Sequence, residues 1–232
     1  MAGYDLKQEV TDKYSLRGRV FNRIREDILS GKYKENDELK EIAIGEELGV
    51  SRTPVREAFR QLELEGLIQI IPNKGAYVTG ITMEDVKDIY MIRSKLEGLC
   101  AAWACEHISD EQLEEMEENI YLAKFHAERG HFEQMTELDN RFHELMYEAC
   151  NSKILHHLLT DFHQYVQRVR KRTLSTIDRS LASNQEHQNI MEAIKARNPE
   201  KAEHCATTHI NNAYKNMVKN GLKEAYSNET EG

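Results

Sequence analysis

Two groups of residues have types and spacings suited to chemistry. Arg52, Arg56 and Arg60 recur every four residues within Ser51-Arg52-Thr53-Pro54-Val55-Arg56-Glu57-Ala58-Phe59-Arg60, which puts them on one helical face. Val55, Phe59 and Leu62 follow a similar period on another face that can pack inward. Thr53 is placed to cap this helix, with Pro54 at its first position. A short helix with an apolar back and an arginine front suits the DNA major groove; an ordinary amphipathic helix with a solvated face is the alternative. Farther along, Asp139 and His143 stand at i and i+4 in Leu138-Asp139-Asn140-Arg141-Phe142-His143, so a carboxylate and an imidazole share a face. His187 and His209 belong to two later helices. One aspartate and three histidines from three helices make a donor set for a divalent transition metal. The chain has ten histidines, and any one of them is more often a surface or hydrogen-bonded residue than a ligand.

The elements that must position the arginines are legible around them. Leu16, Val20, Ile24 and Ile28 recur every four residues and predict a helix ending near Gly31. A short helix over roughly Glu41 to Leu48 and a tight turn at Gly49 lead into the arginine helix, a helix-turn-helix order. Leu67 to Ile71 reads as a strand, Pro72-Asn73-Lys74-Gly75 as a turn and Ala76-Tyr77-Val78 as a return strand. The hairpin is a wing, with Lys74 and Gly75 at its tip able to approach a phosphate or a minor groove.

Beyond a linker at 79–82 nearly everything reads as helix, at about 83–106, 109–129, 131–149, 152–176, 178–197 and 199–221. Short loops between long helices predict an antiparallel bundle. The fold class is therefore mainly α: a winged helix-turn-helix of three helices plus a β-hairpin over 15–80, after an N-terminal arm at 1–14, then an all-α antiparallel bundle of six or seven helices over 83–226. Residues Ser227 to Gly232 are expected to fray.

The 232 residues suffice for two domains, and a hydrophobic content of 40% is ordinary. No apolar run approaches the ~18–20 residues that span a bilayer, and Met1 to Tyr14 lacks an apolar signal core; a cytoplasmic protein with no membrane partner is expected. Cys100, Cys105, Cys150 and Cys205 are scattered, which points to reduced thiols rather than a disulfide framework. The net charge of −9 looks wrong for a DNA binder, but the acid is uneven: residues 1–80 carry 13 Lys+Arg against 14 Asp+Glu, and residues 81–232 carry 18 against 26. Weak overall charge argues against tight nonspecific binding and favours a two-headed dimer.

Residues 15–80 resemble the winged helix-turn-helix domain of the GntR family of bacterial transcription regulators. The resemblance lies in Gly49 to Ala58, Leu62, Gly66-Leu67-Ile68 and Pro72 to Val78. It implies that Arg52, Thr53 and Arg56 contact DNA, with Gly75 at the wing tip. Two positions depart from the family pattern: Ile42 stands where members often carry an arginine, and Asn36-Asp37 replaces Pro-Gly. Residues 83–222 resemble the FCD class of ligand-binding domain. Its pattern is matched by Arg93 and Glu97 on the first bundle helix, by Asp139 and His143, by His187 and by His209. The resemblance implies that these last four hold a metal, with zinc first and nickel or manganese as alternatives, and that the metal helps hold a small organic-acid or sugar-acid effector. Arg93 either pairs with an acidic group of that effector or forms a structural salt bridge with Glu97.

The expectation is a homodimeric regulator of double-stranded operator DNA, a repressor in sign, whose affinity for the operator a small carboxylate controls. Two rivals stand beside it: a metal-dependent hydrolase-like helical domain, against which no His-Glu-x-x-His and no general base beside the ligands is found, and a DNA-binding regulator with a purely structural metal. The protein is not expected to be an enzyme.

Overall fold

The computed structural model describes residues 15–173 and 176–220, with the backbone alone at 167–173 and 220. The N-terminal arm at 1–14 and the segment from 221 onward, including the expected frayed end, lie outside the described residues. The chain divides into two compact units, Met1–Thr82 and Met83–Gly232.

The first unit opens with α1 (Leu16–Leu29), whose N-cap Ser15 accepts a hydrogen bond from the Gly18 amide. Val20, Ile24 and Ile28 are buried as their spacing requires. The helix-turn-helix follows as α2 (Glu41–Glu47) and α3 (Arg52–Leu64). Gly49 turns the chain at φ 65°, and the Val50 amide donates to the Gly45 carbonyl at 2.9 Å. A Cβ on Gly45 would lie 3.0 Å from the Val50 carbonyl oxygen, so the turn closes against a helix position that has no side chain.

The start of α3 corrects the expected cap. Ser51 is the N-cap and Arg52 the first helical residue, which places Thr53 second and Pro54 third. The first four helical amides have no partner within the helix, so a proline at the third position removes no backbone bond. It does remove an amide that a capping oxygen would accept from, and Ser51 makes no side-chain cap bond.

The wing is also larger than the predicted hairpin. Strands β2 (Ile68–Ile71) and β3 (Gly75–Val78) pair antiparallel, and a two-residue strand β1 (Glu38–Leu39) adds to the other side of β3, giving the order β1-β3-β2. Asn36, at φ 68°, takes the turn before β1 that the family pattern gives to Pro-Gly. Val55, Ala58, Phe59 and Leu62 of α3 pack inward, together with Leu39, Ile68 and Val78 of the sheet.

The second unit contains α4 (Met83–His107), α5 (Asp110–Ala127), α6 (Phe132–Ala149), α7 (Lys153–Thr173), α8 (Ile177–Lys195) and α9 (Pro199–Asn220). Their starts are encoded locally. Ser109 and Gln112 form a reciprocal capping box at α5, Thr176 accepts from the Arg179 amide at α8, and the Asn198 side chain accepts from the Lys201 amide just ahead of Pro199. The core is built from Cys100, Ala101 and Ala104 of α4, Phe142, Leu145 and Met146 of α6, and Ile190 and Ile194 of α8. Helix α4 runs closely along α9 at Gly98, where an added Cβ would lie 2.5 Å from Thr207 Oγ1 and 3.2 Å from the Glu203 carbonyl oxygen. Among the described residues no helix is long and apolar enough to cross a membrane.

Candidate nucleic-acid face and buried histidine centre

Helix α3 presents its arginines outward. The side chains of Arg52, Arg56 and Arg60 are 58%, 51% and 65% exposed, and Thr53 is exposed at the same end. Across from them, Glu41 at the start of α2 meets two of the three. Arg52 donates from Nε and Nη2 to Glu41 Oε2 at 3.2 and 3.0 Å. Arg56 donates from Nε to Oε1 and from Nη2 to Oε2, both at 2.9 Å. These bonds, Arg56 first, hold the Glu41 carboxyl at about 2 against the opposing effect of its partial burial. Arg60 pairs with Glu57 along its own helix. On the wing, Lys74 is exposed, and Gly75 sits at φ 126°, a left-handed conformation that favours glycine. A Cβ there would also come within 3.3 Å of Glu38 Oε1. Glu41, Ile42, Arg52, Arg56 and Gly75 line one concave surface of this unit. Sequence reasoning missed Glu41, since a pairing across 11 and 15 residues leaves no periodic signal.

In the second unit, His143 of α6, His187 of α8 and His209 of α9 converge. One ring nitrogen from each lies within 4.8 Å of the others, and all three residues are buried. His187 Nε2 and His209 Nε2 are 3.3 Å apart. Asp139, one turn before His143, stands at the edge of the cluster, with its Oδ1 3.6 Å from His187 Nε2 and accepting from Ser183 Oγ at 3.5 Å. The His187 ring stacks on Phe142, with centroids 4.0 Å apart and planes within 10°.

Carboxylates orient the rings from behind. His209 Nδ1 is 2.8 Å from Glu186 Oε2, and Glu186 is itself held by Arg179 and Asn212. Burial pushes the Glu186 carboxyl up, but His209 and Arg179 overcome it and hold the group at about 2. Burial lowers His209 to about 4, against the pull of Glu186, so its ring is neutral near pH 7. His143 Nδ1 lies 2.8 Å from Glu97 Oε2. His143 Nε2 is buried with no hydrogen-bond partner.

Glu97 is the hub of a buried polar group that the histidines adjoin. Arg93 Nε donates to Glu97 Oε1 at 2.9 Å, and the Tyr147 hydroxyl donates to the same oxygen at 2.9 Å. Burial alone would raise the Glu97 carboxyl; Arg93 and His143 reverse this and hold it well below its usual range. The Arg93–Glu97 salt bridge is therefore present, and Arg93 Nη1 remains buried and unpaired. Sequence reasoning also missed His163 of α7. Its Nε2 is 2.8 Å from Asn140 Oδ1, its ring centroid is 5.5 Å from that of His143, and burial keeps it neutral. Only the packing of α7 against α6 brings it there. Of the cysteines, Cys100, Cys105 and Cys150 are buried and Cys205 partly so, all as free thiols.

The donor set fits a transition metal. A metal ligand must be deprotonated, and histidine ligands usually pass their other ring nitrogen to a carboxylate. His209 meets both conditions, and His143, whose Nε2 has no hydrogen-bond partner, has its ring centroid 5.2 and 5.3 Å from those of His187 and His209.

A winged helix-turn-helix whose second helix carries exposed arginines, in one chain with an all-helical unit, has the make-up of a DNA-binding transcription regulator. The chain belongs to the GntR family of bacterial regulatory proteins and carries an FCD domain: the gntR family pattern matches residues 16–78 and the FCD domain pattern residues 88–212. This is a family of regulators, not of enzymes. The chain is 28% identical to the HTH-type transcriptional regulator YdhC of Bacillus subtilis (strain 168), over 97% of this chain and 99% of that one. It is 29% identical to the HTH-type transcriptional repressor RspR of Escherichia coli (strain K12), over 83% and 84%. Among solved structures, E. coli McbR/YncC matches with a TM-score of 0.71 at 22% identity, over 89% of this chain and 98% of that one, a likeness of fold.

Proposed function

We propose that this regulator is a metal-dependent sensor, a repressor whose operator affinity is set by a small carboxylate bound in the helical unit. The observation that carries this reading is the convergence of the three buried imidazoles of His143, His187 and His209, with His143 Nε2 left without a hydrogen-bond partner. Buried polar atoms without hydrogen-bond partners are costly in a core, and a divalent cation would satisfy them. Asp139, His143, His187 and His209 would hold the ion, zinc foremost, with nickel or manganese as alternatives. Bound there, the metal supplies a Lewis-acidic point for a carboxylate or hydroxy-acid oxygen. Arg93, buried with Nη1 unpaired, offers a cationic donor to a second acidic group.

Arg52, Thr53 and Arg56 read the major groove, while Lys74 and Gly75 approach the backbone or minor groove from the wing. Two subunits, one per half-site, make a homodimer on a roughly palindromic operator. Its support is an exposed apolar run on α4, with Leu99 36% and Trp103 41% exposed. An effector coupling of ~1–3 kcal/mol would shift operator affinity about 5- to 150-fold.

The test is thermal unfolding of metal-loaded and metal-stripped protein against a panel of small carboxylic and sugar acids. A ligand that binds only the native state raises Tm. One acid that stabilises the loaded form alone supports the sensor. If no acid shifts either form, the metal is structural, the second reading of the same cluster.

A further inference from the structure

Glu41 makes four of the hydrogen bonds on the arginine face yet carries the charge that DNA repels. We propose that Glu41 is a specificity-determining positioning residue: it pins Arg52 and Arg56 as a fork whose free edges are presented to guanine. The proposal rests on the reading of α3 as the DNA-reading helix.

The geometry of the guanidinium carries the argument. Arginine can donate in pairs along its Nε–Nη2 side or across its Nη1–Nη2 end. Glu41 occupies the Nε–Nη2 side of both Arg52 and Arg56. In each arginine the Nη1–Nη2 end remains, and an end-on pair of donors matches guanine O6 and N7. Both side chains are more than half exposed, and each would otherwise sample many rotamers before binding. Pinning them moves that ordering cost out of the binding step.

The carboxylate also has an opposite effect. Held ionised between two arginines, it offsets part of their charge toward phosphates. Nonspecific binding, which is nearly all electrostatic, is weakened, while a base contact that needs a fixed fork is kept. One residue thus raises the ratio of specific to nonspecific affinity from both sides. This agrees with a first unit whose basic and acidic residues nearly balance.

The experiment is a selection of duplexes from a random pool by the full-length wild type, followed by Kd measurements for the selected duplex and the starting pool at several salt concentrations. Glu41→Gln keeps the size but cannot accept from four donors. We expect its specificity ratio to fall roughly 5- to 150-fold, the worth of one forked contact, and its pool binding to gain about one unit of salt slope. Arg56→Lys, which keeps the charge and loses the fork, should lower the ratio likewise. In an Arg52→Ala background, Glu41→Gln should cost less than it does alone. A ratio unchanged in folded Glu41→Gln overturns the proposal, as does a consensus altered at one base with no coupling to Arg52, which would make Glu41 itself the base contact. A wild type that enriches no sequence would instead overturn the reading of α3.

Discussion

At the scale of single residues, both surfaces depend on how a side chain is held from behind. Glu186 fixes His209 through Nδ1, and Phe142 fixes the plane of His187. Removing His187, buried against Phe142, takes away one donor and opens a cavity within the helical unit. His187→Ala is expected to lower metal content at least tenfold in dialysed protein, as measured by elemental analysis, while the winged unit keeps its folded signature. Full occupancy in the variant would remove His187 from the ligand set. The residues of the cluster were legible because Asp139 and His143 sit one turn apart and His187 and His209 matched the family pattern. Their supports were not legible. Glu186 is adjacent to His187 in sequence but serves a different histidine, 23 residues away, and His163 reaches the cluster through tertiary packing alone.

At the scale of elements, periodicity predicted the long helices, and the structure differs from it mostly by a few residues at their ends. What it missed was short or non-local. Strand β1 has two residues, too few for alternation to register, and it forms because β3 offers it an edge. The cap of α3 was misplaced because Ser51 and Thr53 are equally good candidates by residue type; geometry, not propensity, chose Ser51. Gly98 is an element-scale feature that no helical pattern marks. In an exposed helix interior Gly→Ala would gain ~1 kcal/mol. Here the new methyl would meet Thr207 and the α9 backbone, and overpacking costs ~1–3 kcal/mol. Gly98→Ala is thus expected to lower the Tm of the helical unit, seen in calorimetry as a downward shift of one transition. A rise in Tm would show that α4 and α9 part easily at that point.

At the scale of the molecule, uneven charge and two separately cored units suit a division between DNA binding and the effector binding proposed for the helical unit. A near-neutral N-terminal unit gives one head little nonspecific grip, which favours the proposed pairing of two heads on one operator. Leu99 and Trp103, both exposed on α4, are the side chains a second subunit would cover. Replacing both with aspartate should convert a dimer to a monomer in light scattering and weaken operator binding by at least tenfold. A double variant that remains dimeric would place the interface elsewhere. The sequence leaves Trp103 open between core and dimer contact, because an apolar stripe on a core helix looks alike whether it meets its own chain or another.

The thiols described above have a use beyond packing. All four cysteines and the sole tryptophan, Trp103, lie after residue 82, so the reading unit carries neither reporter. With three of the four thiols buried, their labelling rates in the intact chain time the transient opening of the helical unit alone. A bound metal or acid that closes that unit would slow this clock while leaving partly exposed Cys205 comparatively fast, so one kinetic trace on unmodified protein can report ligand capture without an operator or a dye.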